Sequence, residues 1–289
     1  MHIIKTDKLT KYYGKSRGIT ELDLTVEEGD FFGFIGPNGA GKSTTIRTLL
    51  GLIFPTSGSA QIFGKDIQSC RQEILSEIGY MPSEATFYQG MKVREIISLS
   101  AKMRKVKSLE EADNLCERLS LDKEKRVEEL SLGNRKKVSI VCALLHKPRL
   151  CILDEPTSGL DPLMQKEFFE ILKERHEDGA TIFLSSHVLS EIQKHCSHAA
   201  IIKDGKIISK GTVAELSKNN AKRVILHGVT SVPETLGAKS VEESGDSISF
   251  LYTGNIKDLI NAAHSLPITD MTIQEPSLEE IFMHFYEKS

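Results

Sequence analysis

The chain has 289 residues, 39% of them hydrophobic and 27% charged, with 37 basic against 40 acidic side chains and a formal net charge of -3. That is the makeup of a soluble globular protein with room for one large domain and a small one. It lacks the basic excess of a nucleic-acid-binding surface, and no apolar run approaches the roughly 18 residues of a membrane-spanning helix. The start, Met1-His2-Ile3-Ile4-Lys5, has no signal-peptide core. The five scattered cysteines, Cys70, Cys116, Cys142, Cys151 and Cys196, form no C-x-x-C pair. Buried, reduced thiols in the cytoplasm are therefore expected, without a cysteine metal site.

Residues 9–14 lead into residues 19–26, where Leu22, Leu24 and Val26 alternate as in a half-buried strand. Tyr12 or Tyr13 upstream offers an aromatic face for a purine ring. Residues 31–35, Phe-Phe-Gly-Phe-Ile, read as a buried strand. They feed Gly36, Pro37, Asn38, Gly39, Ala40, Gly41, Lys42, Ser43 and Thr44, which fit the phosphate-binding pattern G-x-x-x-x-G-K-[ST]. Ile46, Leu49, Leu50 and Ile53 then recur at helical spacing. The glycines let successive backbone N–H groups face one concavity, and the helix N-terminus adds its unpaired donors and positive dipole end. Lys42 is expected to reach the β- and γ-phosphates, and the Ser43 hydroxyl to ligate Mg²⁺.

Residues 55–58 mark a turn before a short strand at 60–63, and a strand at 78–81 breaks at Pro82. From Val93 to Leu145 the apolar spacing is helical within charge-rich surroundings, which predicts a helical lobe with solvated faces on an α/β core. Within it, residues 130–134 open a helix that Ser131 can cap. Residues 150–153 form an apolar strand ending in Asp154 and Glu155. Two carboxylates there are costly to desolvate without a cation or a proton-transfer role. In phosphate-loop enzymes such an acid holds Mg²⁺, which assigns Asp154 to the metal and leaves Glu155 to polarise the attacking water.

A turn-rich connector, residues 156–162, leads to a helix carrying Phe168, Phe169, Ile171 and Leu172. A strand at 181–185 then delivers Ser186 and His187 at its carboxyl end, where ligands of open α/β sheets gather. Lys42, Asp154, Glu155 and His187 thus converge on one sheet edge. Residues 199–208 read as a hairpin through Asp204-Gly205. The polar run 217–220 marks a boundary. Beyond it come strand-like segments at 224–226, 247–251 and 271–273, a helix near 256–263 and a final helix through Ile281 and Phe282. The expected organisation is a nucleotide-binding domain over 1–217, with a helical subdomain at about 84–149, and a small C-terminal α+β domain over 222–289 without a catalytic constellation.

Together these segments resemble the ATP-binding subunit of ABC transporters, over residues 3–216. The resemblance implies a P-loop NTPase core with an antiparallel β subdomain and a helical signature subdomain. Residues 36–44 then match the Walker A motif, 150–154 Walker B with Glu155 as catalytic base, 158–161 the D-loop including Asp161, and His187 the switch histidine. Tyr13 resembles the adenine-stacking aromatic. Residues 130–134 resemble the signature LSGGQ, which in that family binds the γ-phosphate held by the opposite subunit of a head-to-tail dimer. Leu132 and Asn134 depart from it, while Ser131 and Gly133 are retained. Ser83 stands where the family usually has a glutamine on Mg²⁺; serine still offers an oxygen, and its shorter reach predicts slow basal hydrolysis or a partner-dependent site, with Glu84 as the alternative ligand.

Residues 275–282 are similar to the ends of bacterial exporter ATPases of the drug, bacitracin and ABC-2 type. The reading is an ATPase using ATP and Mg²⁺, a homodimer or heterodimer, that powers export through a separate membrane permease at the inner face of the cell membrane, with no nucleic-acid partner. The alternative is a soluble ABC-type ATPase in a non-transport role; such proteins usually carry two cassettes or long coiled coils, and this chain has neither. A phosphate-loop kinase or GTPase is disfavoured because residues 130–134 would have no purpose and no N-K-x-D motif follows.

Overall fold

Strands β1 (His2–Tyr13), β2 (Ser16–Leu22) and β3 (Thr25–Glu27) open the chain. The single strand expected over residues 19–26 is thus divided, and Thr6 shows why. Its buried hydroxyl donates to the Leu22 carbonyl at 2.6 Å and accepts from the Leu24 amide at 2.8 Å, taking over the ladder at the break. Just before it, Glu21 is in the left-handed region with φ 46°. Next come β4 (Phe31–Ile35), α1 (Lys42–Leu49), β5 (Ser57–Ile62), β6 (Lys65–Asp66), α2 (Arg71–Ser76) and β7 (Ile78–Met81). Helices α3 (Val93–Met103), α4 (Glu110–Arg118) and α5 (Leu132–Leu144) follow, then β8 (Leu150–Asp154), α6 (Pro162–Glu177), β9 (Thr181–Ser186), α7 (Leu189–His195), β10 (His198–Lys203) and β11 (Lys206–Thr212).

The computed structural model describes residues 1–217, 222–229, 231 and 238–274. They fall into two units, Met1–Lys210 and Gly211–Ser289. In the first, β1 is the spine of an antiparallel sheet, flanked by β2, β3 and β5, with β6 beyond β5. A second sheet has the order β11-β10-β4-β9-β8-β7, parallel from β10 to β7. Every residue of β4, β8 and β9 is buried, as expected for parallel strands covered on both faces. Register aligns their carboxyl ends: Ile35 lies opposite Ser186, Asp154 opposite Ser185, and Leu153 opposite Met81. The chemistry-bearing residues leave the sheet side by side because of this alignment.

Helix α5 runs beneath this edge, with Val138, Val141 and Leu144 fully buried. Their burial contributes about 1.5–3 kcal/mol each by transfer from water. The second unit holds α8 (Val213–Ser217) and an antiparallel sheet of order β13-β14-β12-β15, from β12 (Lys222–His227), β13 (Lys239–Ser244), β14 (Ser247–Tyr252) and β15 (Asp270–Gln274). Helix α9 (Ile256–His264) contributes Leu259 to a core with Val224, Leu226 and Phe250. The helix expected through Ile281 and Phe282, like residues 275–282 as a whole, lies outside the described residues. Among the described residues, no helix is long and apolar enough to cross a membrane.

Candidate active site

The turn from β4 into α1 is built around Gly41, the helix N-cap, whose φ of 112° is open to glycine and strained for other residues. A Cβ there would also stand 3.0 Å from the Gly18 carbonyl. The loop is fastened from outside as well as within: the Ala40 amide donates to the Pro37 carbonyl, and the Ala40 carbonyl accepts from the Gly205 amide at 2.9 Å. Lys42 follows Gly41 and is 5% exposed. Its Nζ donates to the carbonyls of Gly36 at 2.5 Å and Pro37 at 3.2 Å.

A cleft of about 270 Å³ lies over this loop, lined by Tyr13, Arg17, loop residues from Pro37 to Thr44, Ser83 and Glu155. Grooves of about 590 Å³ along α3 and α4 carry none of the predicted site residues. Tyr13 is 46% exposed and lines the cleft from the antiparallel sheet, with Lys11 Nζ 5.5 Å from the ring centroid. Arg17, which sequence reasoning did not single out, pairs with Asp204 at 2.6 Å.

Of the two carboxylates at the end of β8, Glu155 lines the cleft and Asp154 is buried behind it. Asp154 is 1% exposed; its Oδ1 accepts from the Ser185 hydroxyl at 2.6 Å, while its buried Oδ2 has no hydrogen-bond partner. Ser185 also takes the Glu155 amide, at 3.1 Å to Oγ and 3.2 Å to its carbonyl. Glu155 itself stands at φ 48°. Its Oε1 lies 3.0 Å from Lys42 Nζ and its Oε2 lies 2.7 Å from His187 Nδ1. Glu155 therefore touches both Lys42 and His187, bringing together the loop after β4 and the ends of β8 and β9.

Behind His187, Glu191 accepts from the Ser186 hydroxyl at 2.9 Å. Burial raises the Glu191 pKa, against the lowering effect of hydrogen bonds from Thr157 and Ser186. Tyr80 on β7 is raised too, by burial first and by the Asp154 charge second. Ser185 and Glu191 carried no usable sequence signal: a serine ending a strand and a glutamate in a helix are ordinary residues.

Ser131, Gly133 and Asp161 stand apart from the cleft lining. Ser131 is the exposed N-cap of α5, accepting from the Asn134 amide at 3.3 Å. Asp161 is likewise the exposed N-cap of α6, accepting from the Met164 amide at 3.0 Å. Gly133 packs on the turn before α6, where a Cβ would meet the Gly159 carbonyl at 2.7 Å. Among the described residues no cluster of three or more His, Cys, Asp and Glu side chains is arranged to hold a metal unaided.

A glycine phosphate loop at the central strand of a parallel sheet, with a buried aspartate and a glutamate at a neighbouring strand end, defines a P-loop nucleoside triphosphatase. Residues 19–158 match the ABC transporter family. The chain is 37% identical to the bacitracin transport ATP-binding protein BcrA of Bacillus licheniformis, over 97% of this chain and 96% of that one. It is 32% identical to the uncharacterized ABC transporter ATP-binding protein YhaQ of Bacillus subtilis, over 97% of each chain. A solved ATP-binding subunit of an ABC transporter superposes with a TM-score of 0.69 at 30% identity, covering 75% of this chain and 92% of that one. The chain belongs to the ABC transporter family, as the subunit that binds and hydrolyses ATP.

Proposed function

We propose that the chain powers export through a separate membrane permease, by cycles of ATP-driven closure between two ATP-binding subunits in a head-to-tail pair. The observation that carries this reading is the division of the phosphate-binding parts. Lys42 and Glu155 share one cleft, whereas the capped end of α5 lies outside its lining, with Ser131 exposed and Gly133 half-buried. A helix N-terminus with a hydroxyl and free N–H groups suits an anion, and a second subunit supplies one. Near-full-length similarity to a protein named for bacitracin transport supports a role in transport. On this reading the protein works in the cytoplasm, at the inner face of the membrane through its permease, with residues 1–217 as the motor and 222–289 as an accessory domain.

In the closed pair, Glu155 takes a proton from the water that attacks the γ-phosphorus, and the bond to the bridging oxygen breaks to release ADP and phosphate. His187, held on Glu155 Oε2, fixes the carboxylate and faces the leaving phosphoryl group. Lys42 exchanges its loop carbonyls for phosphate oxygens and neutralises charge there. Tyr13 stacks the base. The donors also suit Mg²⁺: Asp154 Oδ2 is buried and unpartnered, and Ser43 and Ser83 line the cleft. When bound, the metal would supply charge neutralisation at the β- and γ-phosphates. Asp161 follows by two residues Gly159, which packs on the signature end of α5, and is assigned to the same interface.

Gel filtration with light scattering of Glu155→Gln protein, with and without ATP, tests the reading. A shift from monomer to dimer only with ATP supports it. A protein that binds ATP and stays monomeric at millimolar ATP removes the homodimeric sandwich.

A further inference from the structure

Lys136 lies in the second turn of α5 and is 1% exposed, although Arg135 and Lys137 flank it in sequence. Lysine is almost never buried to this degree unless paired, because its ammonium gives up strong hydration. Here Nζ donates to the main-chain carbonyl of Glu155 at 2.5 Å. Burial lowers the Lys136 pKa, and the charges of Asp154, Glu155 and Glu84 work against that lowering.

The residue so held is an unusual one. At φ 48°, Glu155 occupies a region that a long L side chain adopts only when its surroundings fix it there. Those surroundings grip the residue from opposite sides, and the Ser158 amide also reaches the Glu155 carbonyl, at 3.4 Å. Ser185 receives the Glu155 amide through both its hydroxyl and its carbonyl, and Lys136 donates to the Glu155 carbonyl. With the backbone pinned at both ends, the carboxylate is aimed between Lys42 and His187. Lys136 stands five residues after the N-cap Ser131, or about 7.5 Å along a helix rising 1.5 Å per residue. One short, rigid stretch of α5 therefore carries both the exposed capped end and the cation that grips Glu155.

We propose that Lys136 is a positioning residue for hydrolysis: by donating to the Glu155 carbonyl it fixes the left-handed main chain that aims this carboxylate, and it ties the Ser131 end of α5 to the hydrolytic group of the same chain. The inference rests on the assignment of Glu155 as the base. It adds a contact from within one subunit between the element offered to a partner's nucleotide and the subunit's own cleft.

The test compares kcat, KM for ATP and binding of a fluorescent ATP analogue in wild type, Glu155→Gln, Lys136→Met and Lys136→Arg proteins. Lys136→Met is expected to lower kcat at least tenfold while KM and analogue affinity stay within twofold, and Lys136→Arg to restore most of kcat. An inactive Glu155→Gln beside an unimpaired Lys136→Met overturns this inference alone. Hydrolysis that persists in Glu155→Gln overturns the base assignment and this inference with it. Loss of kcat and nucleotide binding together, without rescue by arginine, makes Lys136 a packing residue and also overturns it. If Lys136→Met does not fold, Lys136→Gln decides, since its amide is one bond too short for the same contact. A fall in kcat of at least threefold at unchanged KM supports the inference, and an unchanged kcat overturns it.

Discussion

Glu155 uses its two carboxylate oxygens on two different partners: Oε1 lies 3.0 Å from Lys42 Nζ and Oε2 lies 2.7 Å from His187 Nδ1. The group assigned to activate water is thus ion-paired with the lysine of the phosphate loop, without a hydrogen bond to Oε1, and hydrogen-bonded to the histidine after β9. Any substitution among the three changes the setting of the other two, so their effects on turnover should not add.

Lys42→Met keeps the length and apolar stem of the side chain and removes its charge. Charge-assisted hydrogen bonds are worth about 1.5–3 kcal/mol, so affinity for a fluorescent ATP analogue should fall about 10- to 100-fold. Equal affinity in equilibrium titrations of the two proteins would show that Lys42 does not hold phosphate.

Ser83 lines the cleft with a short hydroxyl, and Glu84 beside it is exposed. A glutamine oxygen reaches two bonds farther from the backbone. Ser83→Gln should raise basal ATP turnover by about three- to tenfold, equivalent to roughly 0.7–1.4 kcal/mol of barrier. An unchanged rate, measured with and without the membrane partner, removes Ser83 as the cause of slow hydrolysis.

Gly133→Ala would place a methyl 2.7 Å from the Gly159 carbonyl, against backbone that cannot rotate away. Overpacking of this kind costs about 1–3 kcal/mol, which at roughly 2–4 °C per kcal/mol lowers Tm measurably. The same displacement moves the Ser131 end of α5 and should weaken ATP-dependent dimerisation. A variant with wild-type Tm and wild-type dimerisation would mean that the turn yields without cost.

His146 provides a pH dependence of stability. Burial lowers its pKa from 6.5 to about 4, Arg104 adds to the lowering, and the hydrogen bond to the Ile78 carbonyl opposes it. Between those values the unfolded chain binds a proton that the folded chain refuses, so acid favours unfolding. The contribution is whole above pH 6.5 and is lost as pH falls toward about 4. His146→Gln should show a smaller drop in Tm between pH 7 and pH 5 than wild type; an equal drop would assign the acid sensitivity to other groups.

The parallel sheet was legible because β4, β8 and β9 have short apolar centres, each followed by a chemically distinctive residue: Gly36, Asp154, His187. The antiparallel sheet was less so. The break between Leu22 and Leu24 depends on a hydroxyl at Thr6, sixteen residues from Leu22, and apolar alternation simply runs through it. Lys136 was invisible for a similar reason. Set between Arg135 and Lys137 at a helix start, it reads as part of a solvated face, and only the packing of α5 against the β8 end shows it buried. Periodicity reports which face is apolar; it does not report a cation bonded to a carbonyl beneath that face.

The turn between β10 and β11 has a consequence in time. Strand β4, made early, has as its two neighbours β9 and β10, more than 140 residues later in the chain. The phosphate loop waits longer still, for the Gly205 amide on the Ala40 carbonyl, while the Gly205 carbonyl accepts from Thr20 and Asp204 holds Arg17. A chain emerging residue by residue from the ribosome carries the whole loop sequence within about its first sixth, yet lacks the Gly205 brace until the turn at Asp204 and Gly205 is out. Nucleotide binding is then a late event in synthesis, and a nascent subunit cannot commit ATP before the entire parallel sheet exists to use it.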